Sequence, residues 1–532
     1  MFYPRFNLGM AAAPALIFVL ILSLCTLFTL TIADVFASID CGSSVPYTDE
    51  NTIVWSGDDD YIKTGESRTV QSNGSISHVM STLRVFTDRK KNCYNIGNIR
   101  IGRILVRASF YYGNYDGKSS APSFDLQFDG NHWTTVKTSS TEYVSHEVIY
   151  GMRKNIISVC VAQTNADEFP FISALEVRSL DSYMYQFIND TYPLFLLKRV
   201  AYAANSTIRF KNDRYDRIWT PESGGFGTTK LFGNSVISNP GWLDNPPPVV
   251  LRNAVAPIDP NATLVLDMGF PPVGSSVYIN CFFSEVTQLQ QGQNRTFRIY
   301  MNESDRSVPI SPIFGNFTQL YASNYTISPN SKVSLVPTNY STLPPLINAM
   351  EVYLIGEMTT SGTNAVDMIG LTSLRKSFDI LQSWSGDPCL PSSYPWDWVN
   401  CSSGSVPQVT ALFLGSFGLS GLLPDFSSMD RLETIDLQNN SLIGPIPAFL
   451  GTFPNLKELN LANNKFNGSI PPSLSQKKGL NLVVTGNSGL CQSGNVCPSS
   501  GSNSWRQGYN SLPIILSIAI LSLICIMDTR LC

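Results

Sequence analysis

The carboxyl-terminal part of this 532-residue chain repeats with a period of 23 and then 24 residues, and no other feature restricts its fold as strongly. Rows begin at Val409, Leu432 and Leu456, with a degenerate fourth row at Leu480. The second and third rows, LETIDLQNNSLIGPIPAFLGTFPN and LKELNLANNKFNGSIPPSLSQKKG, share their apolar positions. A repeat of this length is one turn of a solenoid, and each turn buries apolar side chains against the next. Residues 409–490 are therefore predicted to form a short solenoid.

The spacing within each row is that of the leucine-rich repeat, L-x-x-L-x-L-x-x-N-x-L. Its asparagine is Asn440 and Asn464 in the two complete rows, where we expect it to bond the backbone inside the turn. The first row has Phe417 at this place. Residues between the leucines are predicted to line a concave face that contacts a peptide or a protein partner, and the candidates are Thr434, Asp436, Gln438, Glu458 and Asn460.

Two cysteine pairs flank these rows. Cys389 and Cys401 precede the first row, and Cys491 and Cys497 follow the last. The ends of a solenoid expose apolar surface and need caps, so a disulfide is predicted in each cap. A zinc site would need closely grouped thiols or histidines, and a catalytic thiol would need a histidine partner. The three histidines of the chain lie far from this segment, so we expect neither a metal nor a cofactor.

The part before the repeats is predicted to be mainly β. Apolar and polar residues alternate in FDLQFD at 124–129, and the following Asp-Gly pair predicts a tight hairpin turn. The octapeptide PFISALEV at 170–177 returns as PLINAMEV at 345–352. We therefore predict two tandem β-sandwiches, at 38–182 and 198–357. The remaining assignments are a connector at 183–197, a linker with the amino-terminal cap at 358–408, and a carboxyl-terminal cap with a spacer at 491–510.

Both ends of the chain are apolar. Residues 1–37 are predicted to be a signal peptide, with an uncleaved signal anchor as the alternative. Residues 511–527 are predicted to be a transmembrane helix, with a GPI-anchor signal as the alternative. The expected location is the extracellular face of the plasma membrane, on a single-pass type I protein.

Sequons and cysteines agree with an exported protein. The eight cysteines between the apolar ends predict disulfides, although the pairing of Cys41, Cys93, Cys160 and Cys281 stays open. Glycosylation is predicted at the Asn-x-Ser/Thr sites Asn73, Asn189, Asn205, Asn261, Asn294, Asn302, Asn316, Asn324, Asn339, Asn400, Asn439 and Asn467.

Charge and composition argue against two classes of function. A formal net charge of -4 and a charged fraction of 14% leave no basic stripe, so nucleic-acid binding is not expected. Glycoside hydrolysis needs two carboxylates about 5 to 10 Å apart across a cleft, and no acidic pair stands out from the surface acids. The sequence therefore predicts that the protein is not an enzyme.

Five short runs resemble a plant receptor pattern: SIDCG at 38–42, YYGNYDG at 111–117, YDRIW at 215–219, LPPLINA at 343–349 and GDPC at 386–389. In this order, and with the repeats, residues 38 to about 491 resemble the ectodomain of malectin-like, leucine-rich repeat receptor kinases. The sequence has neither the Gly-rich loop nor the His-Arg-Asp motif of a kinase, and it is similar to the proteins called diglucose-binding proteins with leucine-rich repeats. The resemblance implies a membrane-tethered receptor or co-receptor that binds a ligand or a receptor kinase ectodomain.

The same resemblance implies an alternative function, binding of a cell-wall oligosaccharide. Malectin binds a glucose disaccharide through aromatic side chains and an acid on loops at one end of its sandwich. Stacking on aromatic rings and hydrogen bonds to carboxylates suit a sugar, although aromatic side chains at a strand end also commonly pack into a core. The matching positions here are Tyr111, Tyr112, Tyr115, Asp116 and Glu168.

Overall fold

The computed structural model describes residues 34–71, 76–233, 237, 244–271 and 274–491. The predicted segment 511–527, most of 1–37, Asn73 and Cys497 lie outside these ranges. Among the helices of the described ranges, none combines the length and the hydropathy that crossing a membrane requires.

The body before the repeats is built from strands. The first half contains β1 Phe36–Asp40, β2 Tyr47–Thr48, β3 Val54–Gly57, β4 Glu66–Thr69, β5 Thr82–Val85, β6 Lys91–Ile96, β7 Arg103–Phe110, β8 Ser123–Phe128, β9 Asn131–Lys137, β10 Val144–Gly151, β11 Ile157–Gln163, β12 Phe171–Ile172 and β13 Ala174–Ser179. The second half contains β14 Leu194–Tyr202, β15 Thr220–Glu222, β16 Thr228–Phe232, β17 Asn253–Pro257, β18 Leu264–Leu266, β19 Ser275–Phe283, β20 Phe297–Met301, β21 Ser304–Asp305, β22 Thr318–Ile327, β23 Val333–Pro337 and β24 Ala349–Ile355. Two 3₁₀ turns, His78–Met80 and Pro248–Leu251, complete the body.

One sheet of eleven strands runs through both halves, in the order β2-β3-β1-β13-β7-β10-β14-β24-β19-β22, with β15 beside β14. The halves join where β10 pairs antiparallel with β14, at Val148 with Phe195 and Ile149 with Leu194. β14 begins at Leu194, inside the stretch predicted to be a connector. Smaller sheets cover the long sheet. In the first half these are β6-β11-β8-β9 and β12-β5-β4, and in the second half they are β18-β23-β20-β21 and β16-β17. The two sandwiches therefore share a layer.

Buried ion pairs cross the joint between the halves. Glu147 on β10 accepts hydrogen bonds from Arg107 of β7 at 2.8 Å and from Arg199 of β14 at 2.6 Å. Glu176 and Glu351, at equivalent places in the two octapeptides, pair with Arg107 at 3.0 Å and with Arg199 at 2.7 Å. These five side chains are at most 4% exposed. Burial alone would raise the pKa of Glu147, but the two guanidinium groups outweigh burial and lower it.

The amino-terminal strand begins slightly before the predicted start of the mature protein. Phe36 and Ala37 of β1 pair with Arg178 and Val177 of β13, and the Arg178 guanidinium lies 3.8 Å from the centre of the Phe36 ring. A chain that starts at Ser38 keeps the pairs from Ser38 to Asp40 and loses this ring contact.

The repeats follow a helical segment. Helices α1 Ala365–Ser377 and α2 Asp379–Gln382 lead into the strands, and α3 Pro472–Ser475 and a 3₁₀ turn at Ala448–Gly451 lie within the rows. One sheet, β25-β26-β28-β30-β32, forms the concave side, and a second, β27-β29-β31-β33, lies in the turns. The strands are β25 Val399–Cys401, β26 Val409–Phe413, β27 Ser420–Leu422, β28 Thr434–Asp436, β29 Ser441–Pro445, β30 Glu458–Asn460, β31 Lys465–Gly468, β32 Asn481–Val483 and β33 Gly489–Leu490.

A ladder of buried asparagines holds the turns, as predicted for Asn440 and Asn464. The Asn464 amide donates to the carbonyl of Leu437 in the row before, at 2.8 Å, and its carbonyl accepts from the Leu442 N–H at 3.0 Å. Asn487 makes the same contacts for the fourth row. Pairing of Asn481 with Glu458 starts that row one residue earlier than predicted, at Gly479. The same hydrogen-bond geometry thus extends the ladder into the fourth row, whose sequence predicts a degenerate repeat.

Two disulfides have both partners in the described ranges. Cys93 bonds Cys160 across β6 and β11, and Cys389 bonds Cys401 in the amino-terminal cap. Cys41 and Cys281 are buried thiols. The expectation that every cysteine between the apolar ends is oxidised is wrong for these two, because Cys41 lies in the core of the first half and Cys281 in that of the second. Cys491 is disulfide-bonded, and Cys497 lies outside the described residues.

Candidate functional site

The concave strands bring the five predicted contact residues onto one surface. β28 and β30 pair in parallel, with Thr434 opposite Glu458 and Asp436 opposite Asn460. Paired residues in a sheet point to the same side, so these four side chains form two adjacent columns. Gln438 follows in the same row, and its amide donates to the Asp436 carboxylate at 3.1 Å. Glu458 is exposed and the other four are partly exposed, as a binding surface requires.

One aromatic side chain on this surface was missed from the sequence. Phe413 occupies the column of Asp436 and Asn460 in the row before, and it is 40% exposed. Large aromatic side chains are the usual anchors of protein interfaces. The period itself could have identified Phe413, since it lies at the position of Asp436 in the first row.

The cap extends the concave sheet by one antiparallel strand. Asn400 on β25 pairs with Ala411 on β26, and Ala411 pairs with Thr434. Because of this pairing, the Asn400 side chain lies in the Thr434–Glu458 column, at the edge of the surface. Asn400 is exposed and belongs to a predicted sequon. A glycan at Asn400 would cover that edge and leave the later rows open.

The GDPC run fastens the cap to the first half of the body. A side chain at Gly386 would place its Cβ 2.4 Å from the Cys93 sulfur, so only glycine lets the run pack on the Cys93–Cys160 disulfide. Asp387 accepts hydrogen bonds from the amides of Thr363 at 2.8 Å and Leu390 at 2.9 Å. Glycine and aspartate thus hold the turn that presents Cys389 to Cys401.

Three tryptophans of the cap are buried in the same hydrophobic cluster as the leucines of the first rows. Trp396 and Trp398 lie 5.3 Å apart between ring centres, and Trp384 packs on both. The Arg89 guanidinium of the first half lies 4.1 Å above the Trp384 ring. The cap therefore covers the end of the solenoid and contacts the body at the same time.

The five residues predicted to contact carbohydrate lie at one end of the first half, but the side chain of Tyr112 faces inward. Tyr112 is 0% exposed and packs near Phe171 and Tyr115. Its hydroxyl donates to Asp116, and burial and this carboxylate raise its pKa to about 12. Tyr112 does not present a ring face to a sugar in this structure, because the sandwich core takes up that face.

Other residues predicted to contact carbohydrate already form contacts within the protein. Tyr111 packs against the hydrophobic cluster that contains Trp55, and Glu168 accepts from the Ser123 N–H at 2.9 Å. Asp116 is exposed and accepts from the Lys118 N–H at 3.1 Å as well as from Tyr112. Carbohydrate binding at this end stays a prediction, and it would depend on Tyr115, Asp116 and Glu168 rather than on stacking against Tyr112.

The sequons of the described ranges are at the surface. Asn294 is half-buried, and its side-chain amide donates to the Tyr340 carbonyl at 3.3 Å. The exposed asparagines are Asn189, Asn205, Asn261, Asn302, Asn316, Asn324, Asn339, Asn400, Asn439 and Asn467. No group of three or more potential metal ligands occurs among the residues that the structure describes.

Sequence comparison identifies the two parts of the chain. A family profile, the malectin-like domain, matches residues 39–355, and the leucine-rich repeat profile matches 431–453 and 455–476. A β-sandwich body with a short repeat solenoid is thus the class of extracellular domain found in leucine-rich repeat receptor-like kinases. The chain belongs to this malectin-like, leucine-rich repeat receptor-like family.

Two relatives from Arabidopsis thaliana illustrate the extent of the match. The probable LRR receptor-like serine/threonine-protein kinase At1g05700 is 34% identical over 419 residues, which cover 75% of this chain and 48% of the relative. The probable LRR receptor-like serine/threonine-protein kinase MEE39 is 34% identical over 425 residues, which cover 75% of this chain and 47% of the relative. The chain spans about half the length of these curated relatives.

Solved structures share the fold of the body. The extracellular domain of ANXUR1 from Arabidopsis thaliana aligns with a TM-score of 0.51 at 18% identity, over 61% of this chain and 97% of that structure. The plant receptor-like kinase FER aligns with a TM-score of 0.51 at 18% identity, over 61% of this chain and 96% of that structure. At this identity the likeness establishes the fold of the body.

Proposed function

We propose that this protein is an extracellular recognition protein of the plant cell surface, which binds a peptide or a receptor kinase ectodomain through the concave face of its repeats. One observation supports this function above the others, the in-register columns of Thr434, Asp436, Glu458 and Asn460 beside the exposed ring of Phe413. Strands hold side chains more rigidly than loops do, so the face is preorganised for binding. The proposal gives the chain no catalytic role.

The size of the face favours a co-receptor. Strands of a sheet lie about 4.8 Å apart, so β26, β28, β30 and β32 together span roughly 15 Å. A stable protein interface buries about 800 Å² on each partner, which is more than so short a face can supply alone. We therefore propose that the repeats contribute part of a composite interface, to which a second protein adds the rest.

The charge of the face favours a basic partner. Asp436 and Glu458 are carboxylates on adjacent rows, and within the described residues neither forms an ion pair with a lysine or arginine. Lys457 at the edge is already paired with Glu433 at 2.6 Å. Complementary charge raises association rates and selects partners, so the occupant should present lysine or arginine to this surface.

Binding of the purified full chain to a panel of secreted basic peptides and receptor kinase ectodomains tests the proposal. Biolayer interferometry should detect saturable binding of at least one of these partners. The double variant Asp436→Ala, Glu458→Ala should weaken that binding at least tenfold. Glu142→Ala, an exposed acid of the first half, is the matched control and should bind as the parent does. A partner that binds both variants equally would place the interface elsewhere.

A further inference from the structure

A cavity of about 220 Å³ lies inside the second half of the body, between the edge of the long sheet and the smaller sheet that covers it. Residues of β19 and β22 form one wall, and residues of β20 and β23 form the other. Val308, which follows β21, lines the cavity and is 73% exposed. The cavity therefore opens to the surface beside the β20–β21 hairpin.

The walls of this cavity are apolar. Cys281 of β19 pairs with Leu320 of β22, and both side chains pack in the core cluster of the second half. Ile299 and Met301 of β20 line the opposite wall. Burial raises the pKa of the Cys281 thiol to about 12, so the thiol is neutral at neutral pH and adds to the apolar surface. An apolar occupant is therefore favoured in the interior.

Arg306 is the only charged residue among the described residues that line the cavity. It directly follows β21, and its backbone N–H donates to the Ile299 carbonyl at 2.9 Å, so it lies opposite an apolar lining residue of β20. Its guanidinium lies 5.3 Å from the centre of the Tyr325 ring on β22. The cation is thus placed at the mouth, between the hairpin and the edge strand of the long sheet.

The acids near Arg306 do not occupy this position. Glu303 and Asp305 belong to the same hairpin, but neither lines the cavity, and Asp305 pairs with Arg298. Within the described residues, Arg306 belongs to no ion pair. A guanidinium at the end of an apolar space selects a carboxylate, because it can donate two parallel hydrogen bonds to the carboxylate oxygens.

The volume of the cavity restricts the size of a ligand. An apolar cavity of about 150 Å³ accommodates benzene, whereas sites for drug-sized molecules measure about 300 to 1,000 Å³. The cavity lies between these sizes, at about 220 Å³. It therefore suits one ring with a short side chain, or an aliphatic chain of similar volume.

We propose that this cavity binds a compact apolar monocarboxylic acid, either an arylalkanoic acid or a medium-chain fatty acid. The apolar part of the ligand lies between the two sheets, and its carboxylate pairs with Arg306 at the mouth. The site lies in the second half of the body and is separate from the concave face of the repeats. It gives the protein a small-molecule ligand in addition to the partner proposed above.

Calorimetric titration of the purified full chain with 3-phenylpropionate and octanoate tests the site. The neutral counterparts are 3-phenylpropanol and 1-octanol, and acetate is an acid without an apolar part. At least one of the two apolar acids should bind saturably, and its alcohol should bind at least tenfold more weakly. Acetate should show no saturable binding, because it cannot fill the cavity.

Two variants test the two parts of the site separately. Arg306→Gln removes the charge at an exposed position and should weaken binding of the acid at least tenfold. Ala322→Leu places a larger side chain in the cavity and should also weaken binding at least tenfold. Lys332→Gln is the matched control, because Lys332 is an exposed cation next to β23 that does not line the cavity, and this variant should bind as the parent does.

The absence of saturable binding by both apolar acids would overturn the proposal. Equal binding of an acid and its alcohol, or equal losses in Arg306→Gln and Lys332→Gln, would overturn the role of Arg306. Undiminished binding by Ala322→Leu would place the ligand outside the cavity. The double variant Asp436→Ala, Glu458→Ala should keep acid binding, which separates this test from that of the concave face.

Discussion

Asp129 shows how one residue can serve a turn and a domain boundary at once. The sequence predicted a hairpin at the Asp-Gly pair, and β8 does pair antiparallel with β9 around it. Asp129 and Gly130 have φ values of 45° and 78°, as a type I′ turn requires. The packing around the turn could not be predicted from local sequence. The Cβ of Leu390 lies only 3.1 Å from where a Gly130 Cβ would be, so the turn packs against the cap. That contact joins residues about half the chain apart.

Asp129 should make the protein less stable as the pH rises. Burial raises its pKa from 3.8 to about 6, and Asp387 adds to the rise, while the Ser158 N–H, the Tyr150 hydroxyl and Lys154 oppose it. Between about pH 4 and pH 6 the folded state therefore holds a proton that the unfolded state has released. The contribution of Asp129 to the free energy of unfolding should fall across this window by at most about 3 kcal/mol. Thermal unfolding of the parent and of Asp129→Asn from pH 4.5 to 7.5 measures this change.

The stability of Asp129→Asn should improve relative to the parent as the pH rises, because asparagine keeps an acceptor for Ser158 and does not titrate. Asp60→Asn, at an exposed position, is the control for a loss of negative charge. A difference between parent and Asp129→Asn that stays constant over this range would show that Asp129 does not titrate differently on folding.

At the scale of elements, local patterns predicted what each segment forms and failed where partners are distant. The row spacing located the asparagine ladder, because Asn440 and Asn464 bond backbone groups within about one repeat. The fourth row was displaced by one residue, since its weak pattern left the register to be set by pairing with β30. Tyr112 was named as a sugar contact through the resemblance to malectin, although an aromatic side chain at a strand end can also pack into a core. In the structure its ring packs near Phe171, which lies on another strand.

The ladder should dominate the stability of the repeats. Asn464→Ala removes the acceptor of the buried Leu442 N–H and one donor to the Leu437 carbonyl, which keeps the hydrogen bond from the Asn440 amide at 3.0 Å. An unsatisfied buried polar group costs about 1 to 3 kcal/mol, so the variant should lose at least about 1 kcal/mol of local stability. Hydrogen–deuterium exchange of peptides from 432–470 measures this loss.

Asn481→Ala, on the exposed side of β32, is the matched control and should leave exchange in these peptides unchanged. Exchange in the body should also stay unchanged, since the lost bonds lie within the solenoid. Equal exchange in Asn464→Ala and Asn481→Ala would mean that the leucines alone hold the turns.

At the scale of the whole molecule, the sequence could reveal two similar halves but not the sheet that joins them. The repeated octapeptide identified equivalent strands, β13 and β24, and its glutamates point into one charge network. The β10–β14 pairing leaves no local pattern, because each strand alternates in the same way whether its edge is free or paired. The YDRIW run also acquires a role only in three dimensions, where the Asp216 carboxylate accepts from Arg178 at 2.8 Å.

Glu147 should therefore stabilise both halves of the body together. Glu147→Ala leaves Arg107 and Arg199 buried with less compensation, and breaking a buried ion pair from one side costs about 3 to 5 kcal/mol. Because β10 and β14 share one sheet, exchange should accelerate in peptides from β7 and from β19 alike. Glu142→Ala, an exposed acid on the same approach to β10, is the control and should change neither. Faster exchange in only one half would show that the halves unfold independently despite the shared sheet.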